Sequence, residues 1–423
     1  MTFQRVSLLC MVLLSMAARS WGAPLTLQEC LQKARTGNPS LKSAAWDTGL
    51  AQENVRLAGS GSYPRIDAQA GYTMQLEPQA VIISGRTAET QEADFASAGL
   101  SASYTLYDFG RRNARKQQAV AAADASYQGF ESKRSDVALQ VIETWFGLLE
   151  TGKLISAASD EVTQVGEHRR VAQVLFEEGV VTRNDVLQAD VRLAAARQKL
   201  LALRNRLENG WLMLNFLTGS QPGFRADLDE SDTLTAKAED NDLSSIISKR
   251  HDIQSLQHGV EASEFEVSES RGNFFPELYS RVALDYVQND KVREQTIMSA
   301  TLGLRFNLFD GYASTAAREK ATKNRSRIQD NLRLAREQAL LEINSARNDI
   351  TVSKERITVA ETAIRQSEEN LRINRERYRE RVGTATEVLD AQTLLTQTRT
   401  DYHRACYEHQ IATARLKRAA GEL

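Results

Sequence analysis

Proline is scarce and unevenly placed in this chain of 423 residues. Its six prolines are Pro24, Pro39, Pro64, Pro78, Pro222 and Pro276, so none falls between 79 and 221 or after 276. Proline breaks helix interiors, so those two stretches are free to form helices far longer than the ordinary ~11–12 residues. Cysteine is scarcer still, with three, at Cys10, Cys30 and Cys406. The most apolar run, Val6 to Ala18, is shorter than the ~20 residues that a membrane-spanning helix needs. Neither sign of charge is in excess: 53 basic residues face 55 acidic ones, which argues against nucleic-acid binding and its basic surface. There is no glycine-rich phosphate loop and no Gly-x-Ser-x-Gly. Among the five histidines only His251 and His258, seven apart, could share a helix face, and they are read as solvated surface. No catalytic residue, cofactor site or metal site is therefore read.

What is present begins at the N-terminus. Arg5, the apolar run and the small residues of Ala18-Arg-Ser-Trp-Gly-Ala23 have the layout of a secretory signal, cleaved after Ser20 or Gly22. Residues 1–22 are assigned to it. Cys10 lacks the small neighbours of a lipid-attachment site, so no lipid anchor is expected. An exported chain is free to form a disulfide. Cys30 and Cys406 remain for one, though a lone pair so far apart does not require it.

The chain also says the same thing twice. Tyr104-Thr-Leu-Tyr-Asp-Phe-Gly110 returns as Phe306-Asn-Leu-Phe-Asp-Gly311, and Asp185-Val-Leu-Gln-Ala189 as Glu387-Val-Leu-Asp-Ala391. Asp108 to Asp310 and Asp185 to Glu387 are both 202 residues. An internal repeat fixes the architecture before any element is assigned. This one predicts a duplicated fold of 23–218 and 243–423, joined by a linker or equatorial segment, 219–242, rich in Gly, Asp, Ser and Thr.

Each half holds two segments of period two, the pattern of a strand with one apolar and one polar face. They are Ile66–Leu76, Ser97–Leu106, a stretch near 278–287, and Met298–Leu308. Even positions such as Ile66, Tyr72, Leu100, Leu284 and Leu302 are apolar; odd ones such as Asp67, Gln69, Ser101, Arg281 and Arg305 are polar or small. Lengths near ten residues suit membrane-spanning strands, which need ~9–11. Tyr104, Tyr107, Phe306 and Phe309 are read as a rim girdle. The hairpins span 66–106 and 278–308, closed by polar connections, Glu77–Asp94 and Gln288–Gln295. A soluble sandwich with one wet face is the alternative, and two strands per half are few for it.

After each hairpin the pattern turns helical. Ile343, Ile350, Ile357, Ile364, Leu371 and Tyr378 are spaced by sevens, with Ala346, Ser353, Ala360 and Ser367 three residues behind. The other half carries Val141, Leu148, Ile155, Val162, Arg169 and Phe176 in register, with one charged interruption. A sustained heptad means coiled-coil packing, and the small partners suggest close helix approach. Asp108 and Asp310 stand where helix caps would. A helix from Asp310 to Tyr378 would reach ~100 Å. Turns are expected at 179–184 and 381–386, followed by returning helices.

These turns carry the most specific motif: Phe176-x-x-Gly179-x-x-Thr182-x-x-Asp185-Val-Leu-x-Ala189, and again Tyr378-x-x-Arg381-x-x-Thr384-x-x-Glu387-Val-Leu-Asp-Ala391. With Leu308-Phe-Asp-Gly311 and the N-terminal Leu25-Thr-Leu27…Ala34…Asn38-Pro-Ser-Leu41, they resemble the TolC family of outer-membrane channel-tunnel proteins across nearly the whole mature chain. The resemblance implies a mostly α fold with a small β part. A long coiled-coil α-barrel would carry four strands per chain into a shared transmembrane β-barrel, in a homotrimer.

It also implies an efflux or type I secretion conduit in the outer membrane, extending into the periplasm. The expected partners are a periplasmic adaptor, an inner-membrane transporter of ABC or RND type, and outer-membrane lipid. On that resemblance Glu387, Asp390 and Asp185 would line the channel aperture, with Tyr378 and Asp185 as tip contacts. Gly179, Val180, Thr182, Val382, Gly383 and Thr384 would be the adaptor-binding tips. The chain departs from the pattern at Arg381, where glycine is usual, at Phe109, an extra residue, and at Glu387, where aspartate is usual. The rival readings are a surface-associated structural coiled-coil protein and a porin-like pore. Neither explains a duplicated tip motif.

Overall fold

A computed structural model describes residues 24–235 and 243–423. The signal segment with Cys10, and the end of the 219–242 connection, lie outside the described residues. The chain divides into two compact units. One comprises the described residues up to Ala45 with Phe130–His251 and Arg336–Leu423; the other comprises Trp46–Gly129 and Asp252–Ala335.

The elements in chain order are α1 (Leu27–Gly37), α2 (Pro39–Ser60), β1 (Arg65–Met74), β2 (Ala80–Ile83), β3 (Arg86–Glu89), β4 (Asp94–Tyr107), α3 (Arg111–Glu177), α4 (Arg183–Thr218), α5 (Leu243–Lys249), α6 (His251–Gly272), β5 (Glu277–Val287), β6 (Thr296–Arg305), α7 (Ala313–Arg379) and α8 (Ala385–Ala419). The duplication is exact in length where it matters: α3 and α7 each run 67 residues. The offset between halves is 212 residues before the hairpins (Pro39 to His251) and 202 after them (Arg111 to Ala313). The difference is taken up in the connection between β1 and β4.

The unit of Trp46–Gly129 and Asp252–Ala335 is built on a four-stranded antiparallel sheet of order β1-β4-β5-β6. Its register puts the even residues of all four strands on one face: Ile66 pairs with Ala102, Ala102 with Val282, and Val282 with Ala300. That face is apolar and exposed, with Ile66, Tyr72, Met74, Leu284, Met298 and Leu302 uncovered. The opposite face carries the odd residues, including Arg65, Ser103, Arg281 and Thr301 in one row. The outer edges of β1 and β6 have no partner strand among the described residues.

Two sequence expectations change here. The 77–94 connection, expected only as a polar segment, holds strands of its own: β2 and β3 form a second hairpin of Ala80–Ile83 against Arg86–Glu89. The β-branched Val81-Ile82-Ile83 run before Ser84-Gly85, both at positive φ, is a two-residue hairpin turn. The fourth strand ends at Arg305 rather than Leu308, because its partner β5 begins at Glu277 and Pro276 has no N–H to continue the ladder. Phe306 and Phe309 thus lie beyond the sheet. Tyr107 instead meets Phe109 edge-on at 4.8 Å, and Phe109 stacks on Phe275 at 4.9 Å. The extra residue Phe109 takes a left-handed φ of 53° to do so. Asp108 and Asp310 do cap: their Oδ2 atoms accept the N–H of Arg112 and Ser314, each at 2.9 Å.

The other unit holds the largest buried cluster. Val141, Ile142, Trp145, Phe146 and Leu148 of α3 bury against Leu214 and Leu217 of α4 and Cys30 of α1. Asn38, 2 % exposed, fastens its edge. Its Nδ2 donates to the Leu217 carbonyl at 2.8 Å, and its Oδ1 accepts from the N–H of Ser40 at 2.8 Å and of Leu41 at 3.2 Å. Pro39 follows at the first helical position, where its missing N–H costs nothing. The Asn-Pro-Ser-Leu motif is therefore a helix start welded to the end of α4. Residues 219–235 pack against this unit: Leu25 bridges Leu228, the Leu25 N–H donates to the Asp227 carbonyl at 2.7 Å, and Leu228 and Leu234 pack on the core. Cys30 and Cys406 are both free thiols. On α7 the small heptad positions Ala346, Ser353, Ala360 and Ser367 are buried, which is what close helix approach requires.

Candidate functional site

The two turns that end α3 and α7 share one backbone. The Val180 N–H donates to the Leu175 carbonyl at 2.8 Å and that of Gly179 to Phe176 at 3.0 Å; Val382 donates to Arg377 at 2.9 Å and Arg381 to Tyr378 at 3.1 Å. These paired bonds form a Schellman stop, which needs a left-handed residue at its centre. Gly179 provides it at φ 74°, and Arg381 at φ 65°. Three residues on, the return helices begin with a reciprocal cap. Asp185 Oδ2 accepts the Thr182 N–H at 2.9 Å, and Glu387 Oε2 accepts the Thr384 N–H at 2.9 Å. The Gly/Arg-x-x-Thr-x-x-Asp/Glu spacing is therefore a stop and a start set back to back. Val382, 68 % exposed, and Val180, 39 % exposed, project from the turns. Gly383 is enclosed: an added Cβ would lie 3.1 Å from Arg377 Cβ and 3.2 Å from Glu387 Oε2.

Two of the three acids expected at the aperture have a cationic neighbour. Glu387 lies 3.8 Å from Arg377, and Asp390 accepts from Arg192 of α4 at 3.3 Å. Thr386 Oγ1 donates to Gln188 Oε1 at 3.1 Å, a second tie between α8 and α4. Asp185 makes no hydrogen bond to Tyr378; its carboxylate also accepts the Thr182 hydroxyl at 2.8 Å.

Just above the turns is a group that sequence reasoning missed. A cavity of about 360 Å³ is lined by His168 and Gln164 of α3, Arg375 and Tyr378 of α7, and Val388 and Gln392 of α8. Arg375 Nη2 donates to Gln164 Oε1 at 2.8 Å and to Gln392 Oε1 at 3.0 Å. The His168 and Tyr378 rings lie 5.4 Å apart, and both His168 Nε2 and Tyr378 Oη are enclosed without a hydrogen-bond partner among the described residues. Burial, then the Arg375 charge, lowers the pKa of His168; burial, then the Asp185 charge, raises that of Tyr378. Arg375 and Tyr378, three apart on one helix face, were the available signal. Their meeting with His168, some two hundred residues away, was not in the spacing. His258, offered above as surface, has its Nδ1 3.0 Å from Glu261 Oε2.

An antiparallel sheet with one exposed apolar face, joined to paired 67-residue helices, fits a membrane conduit. The sequence model of the outer membrane efflux protein family matches residues 30–220 and 243–422. The chain belongs to that family. It is 22% identical over 423 aligned residues to outer membrane protein TolC of Vibrio cholerae, covering 94% of this chain and 91% of that one. It is 23% identical to alkaline protease secretion protein AprF of Pseudomonas aeruginosa, covering 79% and 71%. Among solved structures it is similar to the outer-membrane channel OprN, with TM-score 0.84, 18% identity and 94% and 90% coverage. The outer membrane protein VceC from Vibrio cholerae superposes at TM-score 0.81 with 19% identity, covering 93% and 96%. The chain is an outer-membrane efflux or secretion channel, neither an enzyme nor a surface-associated structural coiled coil.

Proposed function

We propose that three copies of this chain close one barrel of twelve strands, and that the paired tips dock a periplasmic adaptor which connects the channel to an inner-membrane transporter. The observation that carries the assembly is the sheet. Its apolar face is uncovered and both edge strands end in open hydrogen-bonding edges. Lipid tolerates neither open edges nor unpaired backbone groups, so closure by further copies is required. The order β1-β4-β5-β6 sets antiparallel edges outward, so β6 of one copy can pair with β1 of the next. Exposed apolar stripes support the same reading: Leu187, Val191 and Leu201 on α4, and Val352 and Val359 on α7. Patches of this kind mark interaction surfaces.

The tips are proposed as the docking surface because Gly179, Thr182 and Thr384 build the turns, leaving Val180 and Val382 to face outward. Asp185 and Glu387 hold the caps, and Glu387 with Asp390 is proposed to line the aperture, its charge moderated by Arg377 and Arg192.

The experiment is Val382→Asp with Val180→Asp. Both side chains are solvent-facing, so the trimer should persist in unheated denaturing gels while export falls at least tenfold. Unchanged export would remove the tips from the docking surface, and a monomer as the only species of the native chain would remove the trimer. Gly383→Trp is a poorer probe, since the enclosed Cβ position would distort the turn itself.

A further inference from the structure

We propose that the polar face of the sheet, at its helix-connected end, holds a recognition site for oxyanions, the carboxylate or phosphate groups of molecules in transit. This rests on the reading that the apolar face meets lipid, so that the odd-numbered face lines the lumen.

A cavity of about 600 Å³ opens on that face. Its lining includes Arg65, Arg305, Tyr279, Ser103 and Thr105. Arg305 sits 5.1 Å above the Tyr279 ring. Tyr279 is held flat on the sheet by Gly303 beneath it, where a Cβ would come within 2.5 Å of Tyr279 Cζ. The guanidinium thus lies over a ring held against the sheet, and Glu277, its cross-strand partner, is the one acid among the described residues that its charge acts on; a planar fork in this position suits two-point recognition of a carboxylate or phosphate.

One carboxylate, Glu277, also lines the cavity. It is already engaged, accepting from Thr105 Oγ1 at 2.7 Å and from Arg111 Nη2 at 2.9 Å, so Arg111 offsets its charge. Arg65 pairs with Asp67 at 3.0 Å, but both side chains are exposed, and such pairs are weak enough to exchange for a ligand. Arg281 adds a third cation. It stands in the same cross-strand row as Arg65, two strands away through Ser103. The acids of the face other than Glu277, Asp67 and Asp285, lie on rows nearer the far end of the sheet. The helix end of the polar face thus holds three arginines, Arg65, Arg281 and Arg305, against the single carboxylate of Glu277, while Asp67 and Asp285 lie on rows beyond it. A narrow passage lined by one sign of charge concentrates the opposite ion.

The test uses the full chain in detergent, titrated calorimetrically with citrate and, separately, with pyrophosphate. Both probes should bind the wild type. Arg65→Gln with Arg305→Gln should weaken binding at least tenfold, while Arg65→Lys with Arg305→Lys, which keeps charge but not the planar fork, should fall between. Binding of citrate alone assigns the site to carboxylates, and of pyrophosphate alone to phosphates. No binding by the wild type, or equal binding by the glutamine variant, overturns the proposal. Planar-bilayer conductance separates it from the conduit reading. Conductance without anion binding leaves the channel and removes the site; anion binding without conductance does the reverse.

Discussion

Arg381 should be a cost to this protein, and replacing it with glycine should tighten the second tip. Its φ of 65° matches the 74° of Gly179 at the same place in the first tip. An L-residue in the left-handed region costs about 1–2 kcal/mol. Among the described residues the Arg381 guanidinium makes no hydrogen bond or ion pair that would offset this. Glycine relieves the strain but gives the unfolded chain more freedom, worth roughly 0.5–1 kcal/mol in the other direction. The net expectation for Arg381→Gly is a gain of about 0.5–1 kcal/mol in the local stability of the turn. At about 1.4 kcal/mol per tenfold, local opening should become roughly two- to fivefold rarer.

Native-state hydrogen exchange reads this directly, because the Val382 and Gly383 amides both bond to the Arg377 carbonyl, at 2.9 and 3.1 Å. They should exchange roughly two- to fivefold more slowly in the variant. The reciprocal change, Gly179→Arg, should speed exchange at Val180 without affecting the second tip. Faster exchange at 382–383 in Arg381→Gly, or no response to Gly179→Arg, would refute the strain argument. It would mean that Arg381 has a stabilising contact in the assembled channel.

Three further outcomes are expected. Glu387→Gln with Asp390→Asn should weaken the cation preference of single channels while keeping trimers and the α8 cap, since glutamine preserves the acceptor used by the Thr384 N–H; unchanged reversal potentials would exclude these acids from the aperture. The lowered pKa of His168 means that the unfolded tip takes up a proton near pH 6.5 while the folded one resists, so the stability contribution is present above that pH and lost as pH falls below it. Protease cleavage at the tips should therefore rise between pH 7.5 and 5.5, and less so in His168→Gln; an equal rise in both would implicate other groups. Asn38→Ala removes the buried cap and the bond to Leu217, at a cost of roughly 1–3 kcal/mol. Its unfolding temperature should drop measurably, and a neutral result would mean that the α1–α2 corner finds other partners.

Much of this protein is local and therefore legible in one dimension. Helix length followed from the placement of six prolines, strand faces from period two, and the tips from a repeated spacing that turns out to be a helix stop joined to a helix start. Duplication reinforced each of these, because two copies of a weak signal at a common offset are a strong one. The 80–89 hairpin was legible too, in its Ser-Gly turn between β-branched residues and charge, but was masked by the polarity around it.

Tertiary structure alone decided what depends on distant segments meeting. The fourth strand stops at Arg305 because its partner there, Glu277, is preceded by Pro276, a fact of register rather than of its own sequence. His168 and Tyr378 form an enclosed pair only because α3 and α7 come together, and Arg65 and Arg305 line one cavity only because strands from both halves of the chain join one sheet with their odd residues on the same face. Backbone preferences and hydrophobic period act over a few residues, so the sequence carries them openly. The surroundings of a charge depend on which chains of atoms exclude water from it, and that is set only when the elements come together.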